Sequence, residues 1–146
     1  MSATDPAAPL WIRLFAMVYD AFVLVALWML VAALVLAAFR GEVDVARQPP
    51  LYHFALQSAL LVVTAAYFVI SWSRGGQTIG MRAWRLRVLG TDGKPPPPMR
   101  ALLRFAVAIA SALAAGVGFL WCTVDRERRG WHDIVSATRL VRVPAR

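Results

Sequence analysis

Three long apolar segments dominate the pattern of hydrophobic and polar positions along the chain. They extend over residues 14–39, 51–72 and 101–124. Each is near or above the roughly 20 residues that cross a bilayer core as a helix. The polar residues are concentrated in a basic loop, residues 73–100, and a basic tail, residues 125–146. This pattern predicts one membrane domain that covers residues 1–146.

The third apolar segment is compatible with two structures. Its uncharged stretch from Phe105 to Val124 is long enough for a full crossing. Gly116 and Gly118 also offer a place where a helix can break, so that the segment enters the membrane and returns as a helical hairpin. The sequence pattern alone leaves both a full span and a re-entrant hairpin open.

Two short stretches outside the apolar segments alternate weakly between polar and apolar residues. Residues 84–89 lie in the basic loop and residues 138–143 lie in the basic tail. Such alternation is typical of short β-strands, and two strands pair only if they lie on the same side of a membrane. The predicted fold is therefore an all-α membrane protein with two transmembrane helices, a third apolar segment and two possible short strands.

The charge distribution predicts the orientation of the chain. The formal net charge is +8, and 60% of the residues are hydrophobic. The basic residues lie beside membrane segments, where the positive-inside rule and anionic lipid headgroups account for them. We therefore expect the inner cell membrane, a cytoplasmic N-terminus, anionic lipids at the basic loop and no nucleic-acid partner.

The same rule bears on the third segment. A re-entrant hairpin places 14 Lys and Arg residues on the cytoplasmic side and two, Arg40 and Arg47, outside, whereas a full crossing leaves eight on each side. Because cytoplasmic segments carry an excess of positive charge, the count favours re-entry. Orientation signals late in a chain are weaker, so a full span stays an alternative.

The first apolar segment contains one charged residue, Asp20. It lies two helical turns past Arg13, roughly 10 Å deeper at 1.5 Å per residue. An ionisable side chain at such depth requires a partner or trapped water. We predict that Arg104, at a similar depth in the third segment, is that partner and that the pair organises the helices. Without a partner, Asp20 could instead exchange a proton during transport.

Small residues recur at every fourth position in the third segment. Ala106, Ala110, Ala114 and Gly118 would form one row on a continuous helix and allow another helix to approach closely. The row predicts a helix contact. We expect a homo-oligomer or a larger membrane protein as the partner.

The residues for enzymatic or metal chemistry do not form a recognisable set. Tyr19-Asp20 is similar to one half of an intramembrane aspartyl protease site, but Phe119 stands where the second carboxylate would be required. The single cysteine, Cys122, excludes a multi-cysteine metal site. We therefore expect no catalytic residues, no metal and no cofactor.

His132 and Asp133 are adjacent, but neighbours in sequence do not face one another on a helix. We expect Asp133 to cap a helix or to form an ion pair with Arg128 or Arg129.

Several short motifs together resemble the RDD family of small bacterial membrane proteins. They occur in the family's order between Trp11 and Val143: Ile12-Arg13, Tyr19-Asp20, Gly76-Gln77-Thr78-Ile79-Gly80, Arg85 to Gly93, Leu102-Leu103-Arg104, and Arg129-Gly130-Trp131-His132-Asp133 with Thr138. The resemblance implies a membrane location and a link to transport. It also implies that Arg13, Asp20 and Asp133 are the arginine and the two aspartates of the family name. Met81 stands where relatives often have lysine.

Two functional hypotheses follow. The chain is either a small accessory or assembly subunit, which packs against a larger membrane complex or itself, or a component of an ion or proton-coupled transporter that uses Asp20. Two or three helices can hardly enclose a transport pathway alone, so the accessory subunit is the preferred hypothesis.

Overall fold

A computed structural model describes residues 8–39 and 49–143. The loop with Arg40 and Arg47, which the charge pattern predicts to lie on the outer side of the membrane, and the terminal Arg146 are not among the described residues.

Two long helices form the main body of the protein. Helix α1 covers Leu10–Ala38 and helix α2 covers Pro50–Gly75, and both are long and apolar enough to cross a membrane. The helices are antiparallel, since Asp20 contacts Tyr67 near one end and the ring of Phe39 packs 5.5 Å from that of Tyr52 at the other. The two predicted transmembrane helices are confirmed.

Proline and glycine set the limits of these helices. Pro9 and Pro49 precede α1 and α2 in extended conformations, and their fixed φ angles suit the entry to a helix. Gly76 ends α2 in a left-handed conformation with φ 69°, which glycine adopts without strain. Helix α2 therefore ends at Gly75, just beyond the apolar segment of residues 51–72.

The third apolar segment is broken. Helix α4 covers Pro98–Leu113, helix α5 covers Val117–Leu120, and a 3₁₀ turn follows at Trp121–Thr123, with a bend of 111° between the two parts. Gly116 lies in the break with φ 77°, as the sequence predicted. Gly118 has another role, because a Cβ atom there would lie 2.1 Å from Ser111 Oγ.

A two-stranded antiparallel sheet closes the hairpin. Strand β1 covers Leu86–Gly90 and strand β2 covers Thr138–Arg142, and Val88 is paired with Leu140. Strand β1 precedes the third segment and β2 follows it, so a full crossing would separate them by roughly 30 Å of hydrocarbon. The pairing therefore requires the re-entrant hairpin, and both predicted strands are confirmed.

Two short helices complete the fold. Helix α3 covers Ile79–Ala83 between α2 and β1, and helix α6 covers Trp131–Val135 just before β2. Both pack against longer helices, α3 on α1 and α6 on α4.

The tightly packed core lies at the sheet end of the molecule. Ile12, Leu86, Val88 and Ala101 are each 0% exposed there. The long helices instead present large apolar side chains outward, such as Phe22, which is 74% exposed. This distribution suits a lipid environment around α1 and α2.

The predicted row of four small residues on one helix is wrong. Because α4 ends at Leu113, Ala114 and Gly118 do not continue its face. Gly118 is buried, whereas Ala106 and Ala110 are exposed on α4. Of the four residues of the predicted row, only Ala106 and Ala110 lie on the exposed surface of α4.

The sheet pairing makes a topological prediction. A reporter fused after Arg146 and one inserted at the Thr91–Gly93 turn should lie on the same side of the membrane, because β1 and β2 are joined by hydrogen bonds. Each position is fused in turn to a reporter that is active only in the cytoplasm and to one that is active only outside it, and the two activities are compared. Reporters that map to opposite sides would contradict the re-entrant hairpin.

Candidate functional site

Asp20 lies in a buried polar cluster formed with α2 and the start of α3. Its Oδ1 accepts hydrogen bonds from the Tyr67 hydroxyl at 2.6 Å and the Gly80 amide at 2.8 Å, and its Oδ2 accepts one from the Thr78 hydroxyl at 2.6 Å. Asp20 is 4% exposed. We call Asp20, Tyr67, Thr78 and Gly80 the Asp20 cluster.

The segment from Gly76 to Gly80, which follows α2, supplies two of the hydrogen-bond donors in this cluster. Gly76 turns the chain, and the Gln77 side chain donates to the carbonyl of Leu86 at 2.6 Å, which fixes the segment to β1. Thr78 caps α3 by accepting a hydrogen bond from the Met81 amide at 3.2 Å. The Thr78 oxygen therefore accepts from its own helix and donates to Asp20.

Gly80 allows α3 to touch the backbone of α1. A Cβ atom at position 80 would lie 2.1 Å from the carbonyl oxygen of Ala16 and 2.9 Å from Cγ of Asp20. Only glycine permits this approach without displacement of one helix. The segment from Gly76 to Gly80 and Asp20, which are far apart in the sequence, are therefore in direct contact.

A second buried cluster is centred on Asp133 at the start of α6. Arg13 Nη1 donates to Asp133 Oδ2 at 3.0 Å, and Arg104 Nη1 donates to Oδ1 at 2.5 Å. The Gly130 amide donates to Oδ2 at 2.9 Å, which caps α6. We call Arg13, Arg104, Gly130, Asp133 and Thr138 the Asp133 cluster.

Further contacts hold the two arginines in place. Arg13 Nη2 donates to the carbonyl of Arg128 at 2.7 Å. Arg104 Nη1 also donates to the Thr138 hydroxyl at 2.6 Å, and its guanidinium lies 5.1 Å from the Trp72 ring centroid. The Asp133 cluster therefore joins the first helix, the hairpin, the sheet and α6.

The Asp133 cluster carries a formal charge of +1, because it holds two guanidinium groups and one carboxylate. Burial alone would raise the pKa of Asp133, but Arg104, His132 and Arg13 hold that pKa below its ordinary value. Burial, with the nearby Arg104, lowers the pKa of His132 to about 3, so the imidazole is neutral near pH 7.

The predicted ion pair between Asp20 and Arg104 is wrong. Asp20 takes its partners from α2 and α3, whereas Arg104 is paired with Asp133 because the hairpin brings α6 back onto α4. The predicted capping role of Asp133 is confirmed. The alternative, an ion pair with Arg128 or Arg129, is wrong, since Arg129 instead binds the carboxylate of Asp125, whose side chain is 15% exposed, at 3.2 Å.

An apolar cavity of about 630 Å³ separates α1, α2 and α4. Residues of both polar clusters form part of its wall, among them Asp20, Arg13 and Arg104. Most of the remaining wall consists of aliphatic and aromatic side chains. Residues 8–39 and 49–143 contain no group of three or more His, Cys, Asp or Glu side chains placed to hold a metal ion.

Comparison with family models identifies a match to the RDD family over residues 7–137. The chain belongs to the RDD family. The match includes the whole Asp20 cluster and all of the Asp133 cluster except Thr138, so Arg13, Asp20 and Asp133 lie within the RDD region of the chain. Comparisons with curated proteins and with solved structures give no match.

The three residues that the resemblance assigns to the family name do not form a single site. Arg13 and Asp133 contact each other in the Asp133 cluster, whereas Asp20 lies in the Asp20 cluster and contacts Gly80. Tyr67 was missed by the sequence reasoning. Its position within α2 carries no local signal, because a tyrosine in a membrane helix also suits simple packing.

Replacement of Gly80 by alanine should destabilise the protein by about 1–3 kcal/mol or more, because the added Cβ overlaps the α1 backbone. The matched control is Gly75→Ala, where the nearest atom to the new Cβ lies 4.0 Å away. Thermal unfolding in detergent, followed by circular dichroism, provides the comparison. Equal midpoints for both variants would contradict the close contact of α3 with α1.

Asp133→Asn should destabilise the fold by about 3–5 kcal/mol, because it leaves two buried arginines without their carboxylate. Asp125→Asn is the control and should have a much smaller effect, since its partner Arg129 is 34% exposed. Unfolding midpoints and the protease resistance of the C-terminal tail measure both changes. A loss no greater than that of the control would show that the Asp133 cluster does not hold the hairpin.

Proposed function

We propose that this RDD protein is a small accessory or assembly subunit that packs against a larger membrane protein or a second copy of itself. In this proposal, the two buried clusters act as a structural frame that presents a defined outer helix surface.

The hydrogen bonds to the Asp20 carboxylate are the main support for this proposal. Both carboxylate oxygens accept short hydrogen bonds from donors on α2 and α3, and the short helix α3 is itself fixed by the Gly80 contact. A carboxylate held in this way is positioned to join helices. Moving an ion through it would require three hydrogen bonds to be exchanged.

The size and the surface of the protein also favour this function. Two long helices and a re-entrant hairpin cannot readily enclose a pathway, so transport would require further subunits. The exposed Ala106 and Ala110 let another helix approach α4 closely. The preferred contact surface is therefore the outer face of α4.

We further propose a cytoplasmic N-terminus in the cell membrane, with anionic lipids against the basic end. The sheet end carries exposed basic side chains such as Arg82, Arg85 and Arg128. Positive residues beside membrane helices favour the cytoplasmic side, where lipid headgroups are anionic.

One observation favours the second candidate, a transporter component. Asp20 forms part of the cavity wall rather than lying wholly between packed helices. Cation or proton flux in liposomes that is lost on replacement by asparagine would favour this candidate, and flux unchanged by Asp20→Asn would remove Asp20 from any transport mechanism.

Ala110→Phe should reduce the mass of the complex extracted in a mild detergent, because the larger side chain blocks close approach to α4. Ala33→Phe, at an exposed alanine of α1, is the matched control and should leave the mass unchanged. Light scattering coupled to size-exclusion chromatography measures both. Recovery of the wild-type chain only as a monomer in several mild detergents would contradict the accessory function.

A further inference from the structure

The hairpin covers the cavity between α1, α2 and α4 along only part of its length. Helix α4 has 16 residues and ends at Leu113, so it extends about 24 Å at 1.5 Å per residue, less than the roughly 30 Å of a hydrocarbon core. Leu113 is 84% exposed, and the chain turns back there. The cavity wall continues along α2 to Leu61 and Gln57, whose side chains are exposed. This end of the cavity is therefore open.

The tip of the hairpin, residues 112–115, has unpaired backbone groups. The carbonyl oxygens of Ala112, Leu113 and Ala115 accept no hydrogen bond from the described residues. The amides of Gly116 and Val117, which would continue the helix, bind other carbonyls. Hydrocarbon offers no donor, and irregular backbone inside a membrane is tolerated only where protein or enclosed water satisfies it. The tip therefore requires a cover other than lipid tails.

Gln57 is a second unpaired polar group at the open end of the cavity. Its side chain has no hydrogen-bond partner within residues 8–39 and 49–143. Thr64, two turns along the same helix, by contrast accepts a hydrogen bond from Trp28 Nε1 at 2.8 Å. Gln57 lies seven residues past Pro50, roughly 10 Å along α2 and inside the apolar segment of residues 51–72. Amide side chains inside membranes hydrogen-bond across helix contacts, which favours a protein partner here.

We propose that the partner at the open end is a second copy of this chain in the same orientation. The two α2 helices cross along Phe54, Gln57 and Leu61, and the two Gln57 amides hydrogen-bond to each other. This proposal rests on the proposed function and deepens it, because it names a second copy as a partner and α2 as its contact surface.

The chemistry of Gln57 selects a second copy. A carboxamide carries both donors and an acceptor, so two of them are complementary to each other. In a dimer with a two-fold axis along the membrane normal, the same residue of both chains lies at the same depth. The partner amide is therefore supplied at the required depth by the symmetry of the dimer.

The spacing of the exposed side chains on α2 suits such a contact. Phe54 is 70% exposed and Leu61 is 54% exposed, and Gln57 lies between them at intervals of three and four residues. This is the spacing of helices that cross at about +20°, the usual angle in membrane bundles. One polar residue within an apolar row of this kind fixes the register of the two helices.

The same contact also shields the hairpin tip. Ala112 belongs to the cavity wall that includes Gln57, so a second chain over the open end separates the tip from lipid tails. Water enclosed there can donate to the unpaired carbonyls. A hydrocarbon chain in the cavity would satisfy neither these carbonyls nor the Gln57 amide.

The proposed surface on α2 is distinct from the outer face of α4. Ala106 and Ala110 do not form part of the cavity wall, whereas Gln57 and Leu61 do. A partner at one surface therefore leaves the other surface accessible, and the two contacts can be tested separately.

Cysteine cross-linking in liposomes locates the contact. The single cysteine of the full-length chain is first removed by Cys122→Ala. Leu61→Cys should then form a disulfide-linked dimer on mild oxidation, because residue 61 meets its equivalent across the two-fold axis. Val62→Cys is the matched control: it is 66% exposed but lies about 100° away around α2, and it should cross-link only at background level. Circular dichroism checks that both variants are folded.

The hydrogen bond is tested by measuring dimer dissociation in liposomes by energy transfer between labelled chains. Gln57→Leu should raise the dissociation constant about 3–30-fold, the range expected for an interhelical hydrogen bond in a membrane. Gln57→Asn keeps the amide and should lose less affinity. A dissociation constant that Gln57→Leu leaves unchanged overturns the proposal.

The cross-links also separate this proposal from the accessory function. Ala110→Phe should leave the Leu61→Cys cross-link unchanged, since it alters the other surface. A complex that depends on Ala110 but shows no cross-link at residue 61 would retain the accessory function and overturn the contact through α2. Equal cross-linking of Leu61→Cys and Val62→Cys would also overturn it, because random collision would then explain both.

Discussion

The structure depends on one buried carboxylate that is shared by two arginines. Asp133 is 0% exposed, and Arg13 and Arg104 reach it from α1 and α4. A buried charge without partners is costly, whereas a paired and capped one is tolerated. This requirement fixes where α6 docks, and α6 in turn brings β2 beside β1. The re-entrant hairpin is therefore held at its base by electrostatics as well as by strand pairing.

The Asp20 cluster holds α2 and α3 against α1, in the same way that the Asp133 cluster holds the hairpin and α6 against α1. Gly80 and Thr78 place backbone and side-chain donors on Asp20, and Tyr67 adds a third donor from α2. In each cluster an aspartate accepts hydrogen bonds from groups at the start of a short helix, α3 for Asp20 and α6 for Asp133. The buried charged residues of this RDD protein thus occupy interhelical contacts, and the cavity lies in the space that these contacts leave open.

Much of the fold was predictable because its signals are local. Apolar length identified the two long helices, Gly116 marked the break, and short alternating stretches marked both strands. The partners of the buried charges were not predictable in the same way. Depth alone suggested Arg104 for Asp20, but the true pairing depends on the fold-back of α6 and on the close approach of Gly80, which are contacts between distant segments.

The contact between Arg13 and Asp133 has a consequence for how the chain is made. These residues are 120 positions apart, so the first helix enters the membrane long before its acidic partner exists. At about 5–20 residues per second, ribosomal synthesis separates them by roughly 6–24 seconds. During that interval Arg13 must be held by water, lipid phosphate or an insertion factor. Assembly of the fold therefore includes the exchange of that temporary partner for Asp133.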